Sequence, residues 1–267
     1  MGVHLTPQSR AEIERADEFH YLMVDELSDS WIAKLNPNSH SLRGHYAPDR
    51  RRSETYEAMV EQILVSVRAG RRVCAAFYGH PGVCAFPSHE AIRRAREEGF
   101  SARMLASVSA EDCLFADLGV DPGKSGCQSY EATDFLLRPR TFDPTAALVL
   151  WQVAFIGITQ APVAPAHETF KVLVEYLLEF YDPDHEAVLY EASPYPVGES
   201  SVKRVRLGDL ADAELGPLAT LYIAPRGRAE TDPVMLGRLE RADVDSKATH
   251  VVASTRITAS GDEPRSK

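Results

Sequence analysis

The sequence predicts an α/β protein of two domains, the first built on a mostly parallel sheet and the second on a mixed one. Three observations carry this expectation. The 267 residues are roughly 1.8 times an average domain of about 150 residues. Short apolar runs alternate with amphipathic stretches through the first half, which is the pattern of strands joined by crossover helices. In the second half strand-like runs outnumber helical ones, so part of that sheet should be antiparallel.

Each element has its own signal. Thr6-Pro7 pairs an N-cap with a first-turn proline and predicts a helix to about Ala16. Residues 19–25 (FHYLMVD) read as a buried strand, and 28–35 as a short helix. Residues 36–52 form a polar loop containing Arg43, Arg50, Arg51 and Arg52. Tyr56, Met59, Val60, Ile63, Leu64 and Val67 then recur on one helical face, with Gly70 as the stop. A strand follows over 72–78, a tight turn over 79–82 (GHPG), a helix from Ser88 to Glu98, and a strand over 101–105. Ser109 and Asp112 make an S-x-x-D capping pattern that opens a helix through Leu118. Further on, 147–155, 186–192, 202–207 and 219–224 read as strands and 167–181 as an amphipathic helix. The composition shift at Arg138-Pro139-Arg140 sets an N-terminal domain over 1–138 and a C-terminal domain over 139–230. Residues 231–267 read as a polar, partly disordered tail, with an added strand over 249–257 as the alternative there.

Charge and cysteine usage narrow the function classes. Lys plus Arg is 29 and Asp plus Glu is 39, a net charge of −10. So acidic a chain is a poor general binder of nucleic acid or anionic membrane. Thr145 to Ala166 carries no charge, but its strongly apolar part, 146–158, is 13 residues long and contains Gln152. A membrane span needs roughly 20 apolar residues, so a buried strand and loop are expected instead. Cys74, Cys84, Cys113 and Cys127 include no C-x-x-C pair, so neither a metal site nor a redox dithiol is signalled. With no basic-then-apolar start, this reads as a cytoplasmic protein with reduced thiols. G-x-G-x-x-G and G-x-x-x-x-G-K-[ST] are both absent.

Three segments carry candidate chemistry. YGHPGV, Tyr78 to Val83, follows a buried strand, and ligands of open α/β sheets sit beyond the carboxyl ends of strands. A simple turn is its alternative reading. SVSAED, 107–112, places free helix N–H groups at a strand end, where a capping box alone is the alternative. Gln152 is a lone amide in an apolar run and costs a few kcal/mol there unless paired.

The runs YGHPGVCAFPSHEAIRRAREEGFSARML, SVSAEDCLFADLGVDPG and GCQSYEATDFL resemble the tetrapyrrole methylase superfamily. Within it they are most similar to the borosin peptide backbone α-N-methyltransferases, over roughly residues 2 to 225. The resemblance implies two α/β domains, a homodimer, and S-adenosylmethionine in the cleft between the domains. By position it implies donor contacts from Tyr78, His80, Val83, Ser109, Ala110, Gln152, Ala192 and Thr220. It implies a catalytic cluster of Tyr46, Arg52 and Tyr56, with Arg52 and Tyr56 neighbours at i and i+4 if the helix starts that early. The residue types suit amide methylation. An amide N–H is a very weak acid, a tyrosine beside an arginine is pushed toward phenolate, and a phenolate can serve as base. The arginine can also face the developing oxyanion.

Three departures accompany the resemblance. The superfamily opens with a strand and a glycine-rich loop, whereas Gly2–Thr6 looks like the segment just after that loop, so a first strand is expected to be missing and two strand edges exposed. Ala106-Ser107 stands where the pattern has Pro-Gly, and Arg43 replaces a further tyrosine of the cluster. The expected function is methylation of backbone amides of a separate precursor peptide, because no core peptide is evident after the second domain. The alternatives are a methyltransferase for a small metabolite or tetrapyrrole, and a non-methylating binding or assembly protein on the same fold.

Overall fold

The computed structural model describes residues 4–47, 50–160, 165–195 and 197–243. Described residues through Arg226 form one compact unit, and those from Gly227 on form a second. In chain order the first unit contains α1 (Pro7–Arg15), β1 (Glu18–Leu22), α2 (Glu26–Ala33), β2 (Ser39–Ser41), α3 (Arg52–Arg68), β3 (Val73–Phe77), α4 (Phe86–Glu97) and α5 (Ala110–Leu118). It continues with α6 (Pro122–Ser125), β4 (Cys127–Glu131), α7 (Ala132–Leu137), β5 (Ala147–Trp151), α8 (His167–Leu177), β6 (Glu186–Glu191), β7 (Ser201–Arg206) and β8 (Thr220–Ile223). In the second unit residues 233–243 are helical, within the stretch expected to be a polar tail. The strand considered over 249–257 lies outside the described residues.

Two sheets organise the first unit. One has the order β2-β1-β3 and is parallel throughout. The other has the order β4-β5-β8-β6-β7, parallel between β4 and β5 and antiparallel elsewhere. β4 precedes residue 138 in the chain yet pairs into this second sheet. Strand periodicity explains how each sheet is covered. Phe19 and Tyr21 of β1 pack with Ile13 and Ile32 on the α1–α2 side. Leu22 faces the other way, onto Met59, Val60, Ile63 and Leu64 of α3 and Ala91 and Ala95 of α4. On the second sheet Leu148, Leu150, Leu189 and Leu221 meet Phe170, Leu173, Val174 and Leu177 of α8. Val149, Val188 and Tyr190 meet Leu114 of α5 on the opposite face.

Several boundaries differ from the sequence expectation for identifiable reasons. The strand expected over 147–155 ends at Trp151, because Gln152 takes the left-handed conformation (φ 59°) and a 3-10 turn, Val153–Phe155, follows. Ser88 does not cap α4, which starts at Phe86 with a proline in its first turn. Its hydroxyl instead donates to the carbonyls of Pro81 and Ala85, tying the helix to the preceding turn. Residues 101–105 form no strand. Among the described residues β3 is an edge strand whose sole partner is β1. A cavity of about 470 Å³ lies against it, lined by all five β3 residues and by Ser101–Leu105 and Ser107. Backbone N–H and C=O groups need partners to form a ladder. Among the described residues the 101–105 segment pairs with no strand, its Ala102 carbonyl accepting from Arg96 Nε at 2.8 Å, and it faces β3 across this space. None of the described helices is long and apolar enough to cross a membrane.

His20 is a buried titratable group of the first sheet, 2% exposed on the α3 side. Burial first, and His40 second, push its pKa down from 6.5 to about 4, while Glu18 opposes them. The folded value lies below the unfolded one, so the neutral form stabilises the fold above about pH 6.5 and that contribution is lost as pH falls toward 4. It amounts to about 3 kcal/mol. Urea unfolding at about pH 7.5 and about pH 4.5 should show this loss. A His20→Gln variant should lose less over the same interval, and equal losses would contradict the account.

Candidate active site

The site gathers where strand ends of both sheets meet the first turn of α3. Arg51 precedes that helix as its N-cap, so the helix starts at Arg52, without side-chain capping. The backbone N–H of Arg52 donates to the Thr159 carbonyl at 2.9 Å, and Arg51 bridges Gln160. The early start places Arg52 and Tyr56 one turn apart. Arg52 Nε and Nη2 both donate to Tyr56 Oη, at 3.2 and 3.0 Å. Phe86, at the start of α4, stacks on the Tyr56 ring with centroids 6.2 Å apart.

Tyr46 and Tyr78 complete a cluster of phenols. Burial pushes the Tyr46 phenol well above its ordinary value; Tyr56 and Tyr78 push the same way and Arg52 opposes them. The Tyr78 phenol is raised by burial and by Tyr56, again against Arg52. The expected shift toward phenolate therefore does not hold for Tyr46: desolvation outweighs the arginine. Desolvation, and then Glu131, push the Cys84 thiol up to about 11, which disfavours its thiolate. Cys84 itself takes a positive φ of 51° in the turn leading to α4.

The GHPG turn is tightly wired. Gly79 holds φ 71°, which a side chain would strain. A Cβ on Gly82 would lie 3.0 Å from Met104 Sδ and 3.1 Å from His80 Cε1. The Gly82 N–H donates to His80 Nδ1, so the ring carries its proton on Nε2, free to face a ligand. Val83 N–H returns to the His80 carbonyl. His80 lies close to Asp112 at the start of α5. At that helix start Ser109 and Asp112 form the complete capping box, the Ser109 N–H and hydroxyl both donating to the carboxylate. Ser109 is thus committed to the cap, and Ala110 opens the helix.

The structure brings Tyr46, Arg52, Tyr56 and Tyr78 together, and sets His80 beside α5. Ala192 packs against the cluster that Leu114 of α5 forms with Val188 and Tyr190 of the second sheet. Thr220 pairs with Tyr190 and is 4% exposed, and its hydroxyl makes no side-chain hydrogen bond among the described residues. Gln152 sits half-buried at the end of β5, and its amide likewise makes none. Two unpartnered polar side chains beside strand ends fit a polar ligand of the kind S-adenosylmethionine presents. Among the described residues no metal-binding group of His, Cys, Asp and Glu occurs.

Sequence reasoning missed three contributors. Phe86 is visible only as the residue before a first-turn proline. Glu131 caps α7 and acts on Cys84. Tyr195 donates to Asp25 Oδ2 at 2.7 Å, joining the loop after β6 to the N-cap of α2. The two departures in the sequence have defined contacts: Arg43 pairs with Asp29 at 2.6 Å and donates to the Met23 carbonyl, and the Ser107 hydroxyl is directed at the His4 carbonyl.

Residues 3–211 match the tetrapyrrole (corrin/porphyrin) methylases, and the chain belongs to that family. It is 39% identical over 241 residues to a methyltransferase/ribosomally synthesized cyclic peptide dendrothelin A precursor from Dendrothele bispora, covering 88% of this chain and 58% of that relative. It is 40% identical over 230 residues to a methyltransferase/ribosomally synthesized type I borosin cyclic peptide precursor from Coprinopsis marcescibilis, covering 84% of this chain and 59% of that one. The chain thus spans less than two thirds of these relatives. Cobalt precorrin-4 methyltransferase shares the fold with a TM-score of 0.59 at 16% identity, over 82% of this chain and 88% of its own. Uroporphyrin-III C-methyl transferase from Thermus thermophilus, complexed with S-adenyl homocysteine, does so with a TM-score of 0.54 at 15% identity, over 82% and 90%.

Gln152→Leu should weaken S-adenosylmethionine binding by about 3- to 10-fold, the scale of one lost hydrogen bond. Both side chains meet the same left-handed backbone, so melting should change little. Unchanged affinity by calorimetry would remove Gln152 from the donor site.

Proposed function

We propose that this protein is an S-adenosylmethionine-dependent methyltransferase that methylates backbone amide nitrogens of a precursor peptide. The observation that carries the reading is the double hydrogen bond from Arg52 to the Tyr56 oxygen, inside a family of methylases. The borosin relatives, whose names join a methyltransferase to a cyclic peptide precursor, support the substrate class. When bound, S-adenosylmethionine supplies a methyl group on a sulfonium that needs no further activation, so the chain's residues have to orient the peptide and handle a proton.

In this reading Tyr56 takes the amide proton. For that it must act as phenolate, and the two guanidinium N–H groups that point at its oxygen stabilise this anion before the proton arrives. The α3 N-terminus adds partial positive charge to the same spot. Tyr46, neutral and raised by its neighbours, is suited to donate to the amide oxygen as it becomes imidate-like. Tyr78, His80, Val83, Ala110 and the Ser109 turn form one wall of the donor site in this proposal, and Gln152, Ala192 and Thr220 form the other. Arg43 is held by Asp29 and Met23, so it does not take the place of a phenol. The four cysteines are free thiols, which supports a cytoplasmic location. The homodimer implied by the family resemblance is part of the proposal, and sedimentation should show about twice the chain mass at micromolar concentration.

The test is a mass-shift assay with S-adenosylmethionine and a candidate precursor peptide supplied as a separate chain. Additions of single methylene masses on peptide backbone nitrogens are expected. Tyr56→Phe should lower transfer by about 10²–10⁴-fold, as for a lost general base, with donor binding nearly intact. A fully active Tyr56→Phe variant would overturn the assignment of the base.

A further inference from the structure

A line of polar side chains crosses the apolar layer between β1 and α3. Ser66, in the fourth turn of α3, donates its hydroxyl to the Glu18 carboxylate. His20 Nε2 lies 3.1 Å from that hydroxyl oxygen. Gln62 Nε2 lies 3.3 Å from His20 Nδ1, and Gln62 Oε1 lies 2.5 Å from His45 Nε2. His20 and Ser66 are buried, and Gln62 and His45 half-buried. The line starts at Glu18, which faces Arg71, and ends on the residue that precedes Tyr46.

The chemistry of each group fixes the direction of every bond. An ionised carboxylate only accepts, so Ser66 donates to Glu18. The Ser66 oxygen then accepts from His20, which places the His20 proton on Nε2 and leaves Nδ1 as an acceptor. Only the amino group of the Gln62 amide can satisfy that nitrogen, so its carbonyl must turn to His45 and accept from Nε2–H. Turning the amide over would set its carbonyl against an unprotonated Nδ1 and its amino group against the His45 N–H. A second proton on His20 would face the Gln62 amino group, donor against donor; the His40 ring, tilted against it with centroids 5.4 Å apart on β2, adds a further group that disfavours the charge. Five side chains therefore share one orientation, from His45 down to Glu18.

We propose that Gln62 is a positioning residue for the tyrosine–arginine cluster, holding His45 in its Nε2–H form and so fixing the turn that carries Tyr46. This rests on the methyltransferase reading above. His45 closes the 3-10 turn Arg43–His45, and its carbonyl accepts from Arg50 Nη1 at 3.1 Å and faces Thr55 Oγ1 at 3.5 Å. The residue is gripped from its ring by the helix interior and from its backbone by the first turn of α3. Tyr46 follows directly, with its own N–H returned to Arg43. None of Glu18, His20, His45, Gln62 and Ser66 touches the reacting amide; the line acts through the placement of Tyr46.

The test pairs spectroscopy with kinetics. In ¹⁵N-histidine-labelled protein, His20 and His45 should each show a single Nε2–H tautomer, without substrate. In Gln62→Met, of similar size but with no amide, His45 should lose its fixed tautomer. The kcat for peptide methylation should fall about tenfold, while donor Kd and peptide KM stay within about twofold. Gln62→Glu can still accept from His45, so its kcat should stay within about threefold of wild type although it places a charge in the layer. A purely structural role predicts the reverse order, with the charged variant worse. Wild-type kcat in Gln62→Met, or Gln62→Glu as impaired as Gln62→Met, would overturn the proposal, as would a wild-type His45 that averages between tautomers. The tautomers are read without substrate, so an inactive wild type counts against the methyltransferase reading and is not confused with failure of the chain.

Discussion

The tie between the first turn of α3 and the segment after β5 is the constraint on which the site depends. Arg52 N–H to Thr159 and the Arg51–Gln160 bridge join a helix of the first sheet to a loop of the second. A helix N-terminus has N–H groups with no partner inside the helix. Here one of them is satisfied from the other sheet rather than by a cap. The Arg52 side chain is thereby released toward Tyr56, and the carboxyl ends of β3 and β5 open onto the same space. Helices packed on the two sheets bury the apolar residues of β1, β5, β6 and β8. What gathers at the strand ends is polar: three phenols, a guanidinium, an imidazole, and an amide and a hydroxyl without side-chain partners among the described residues.

The architecture was legible in the sequence because its helices are strongly periodic and its strands are apolar. The apolar face of α3 from Tyr56 to Val67 and the capping box at Ser109 both fold as their patterns require. The failures are local, and the first of them arises because pairing is not written in a strand's own residues. Residues 101–105 have strand composition but meet a cavity instead of a partner. The run from 147 stops at Trp151 because Gln152 turns left-handed, something a glutamine does not announce. Ser88 has the right residue type for a cap, yet Pro87 lets the helix begin earlier.

The candidate site was legible to a different degree. Arg52 and Tyr56 could be placed together from their spacing alone. The state of Tyr46 could not, since it depends on how much water the fold removes and on two other phenols brought from distant parts of the chain. The polar line under α3 is equally silent in the sequence. Glu18, His20, His45, Gln62 and Ser66 show no motif, and only the parallel pairing of β1 and β3 with α3 across them sets the five in order.

The central claim is that Arg52 and Tyr56 act as one unit in moving the amide proton. A double-mutant cycle on kcat, using Arg52→Met, Tyr56→Phe and the pair of changes, measures that most directly. The account predicts strong non-additivity, with the double variant no slower than Tyr56→Phe alone within about threefold. Losses that multiply would show the two residues working independently and would contradict it.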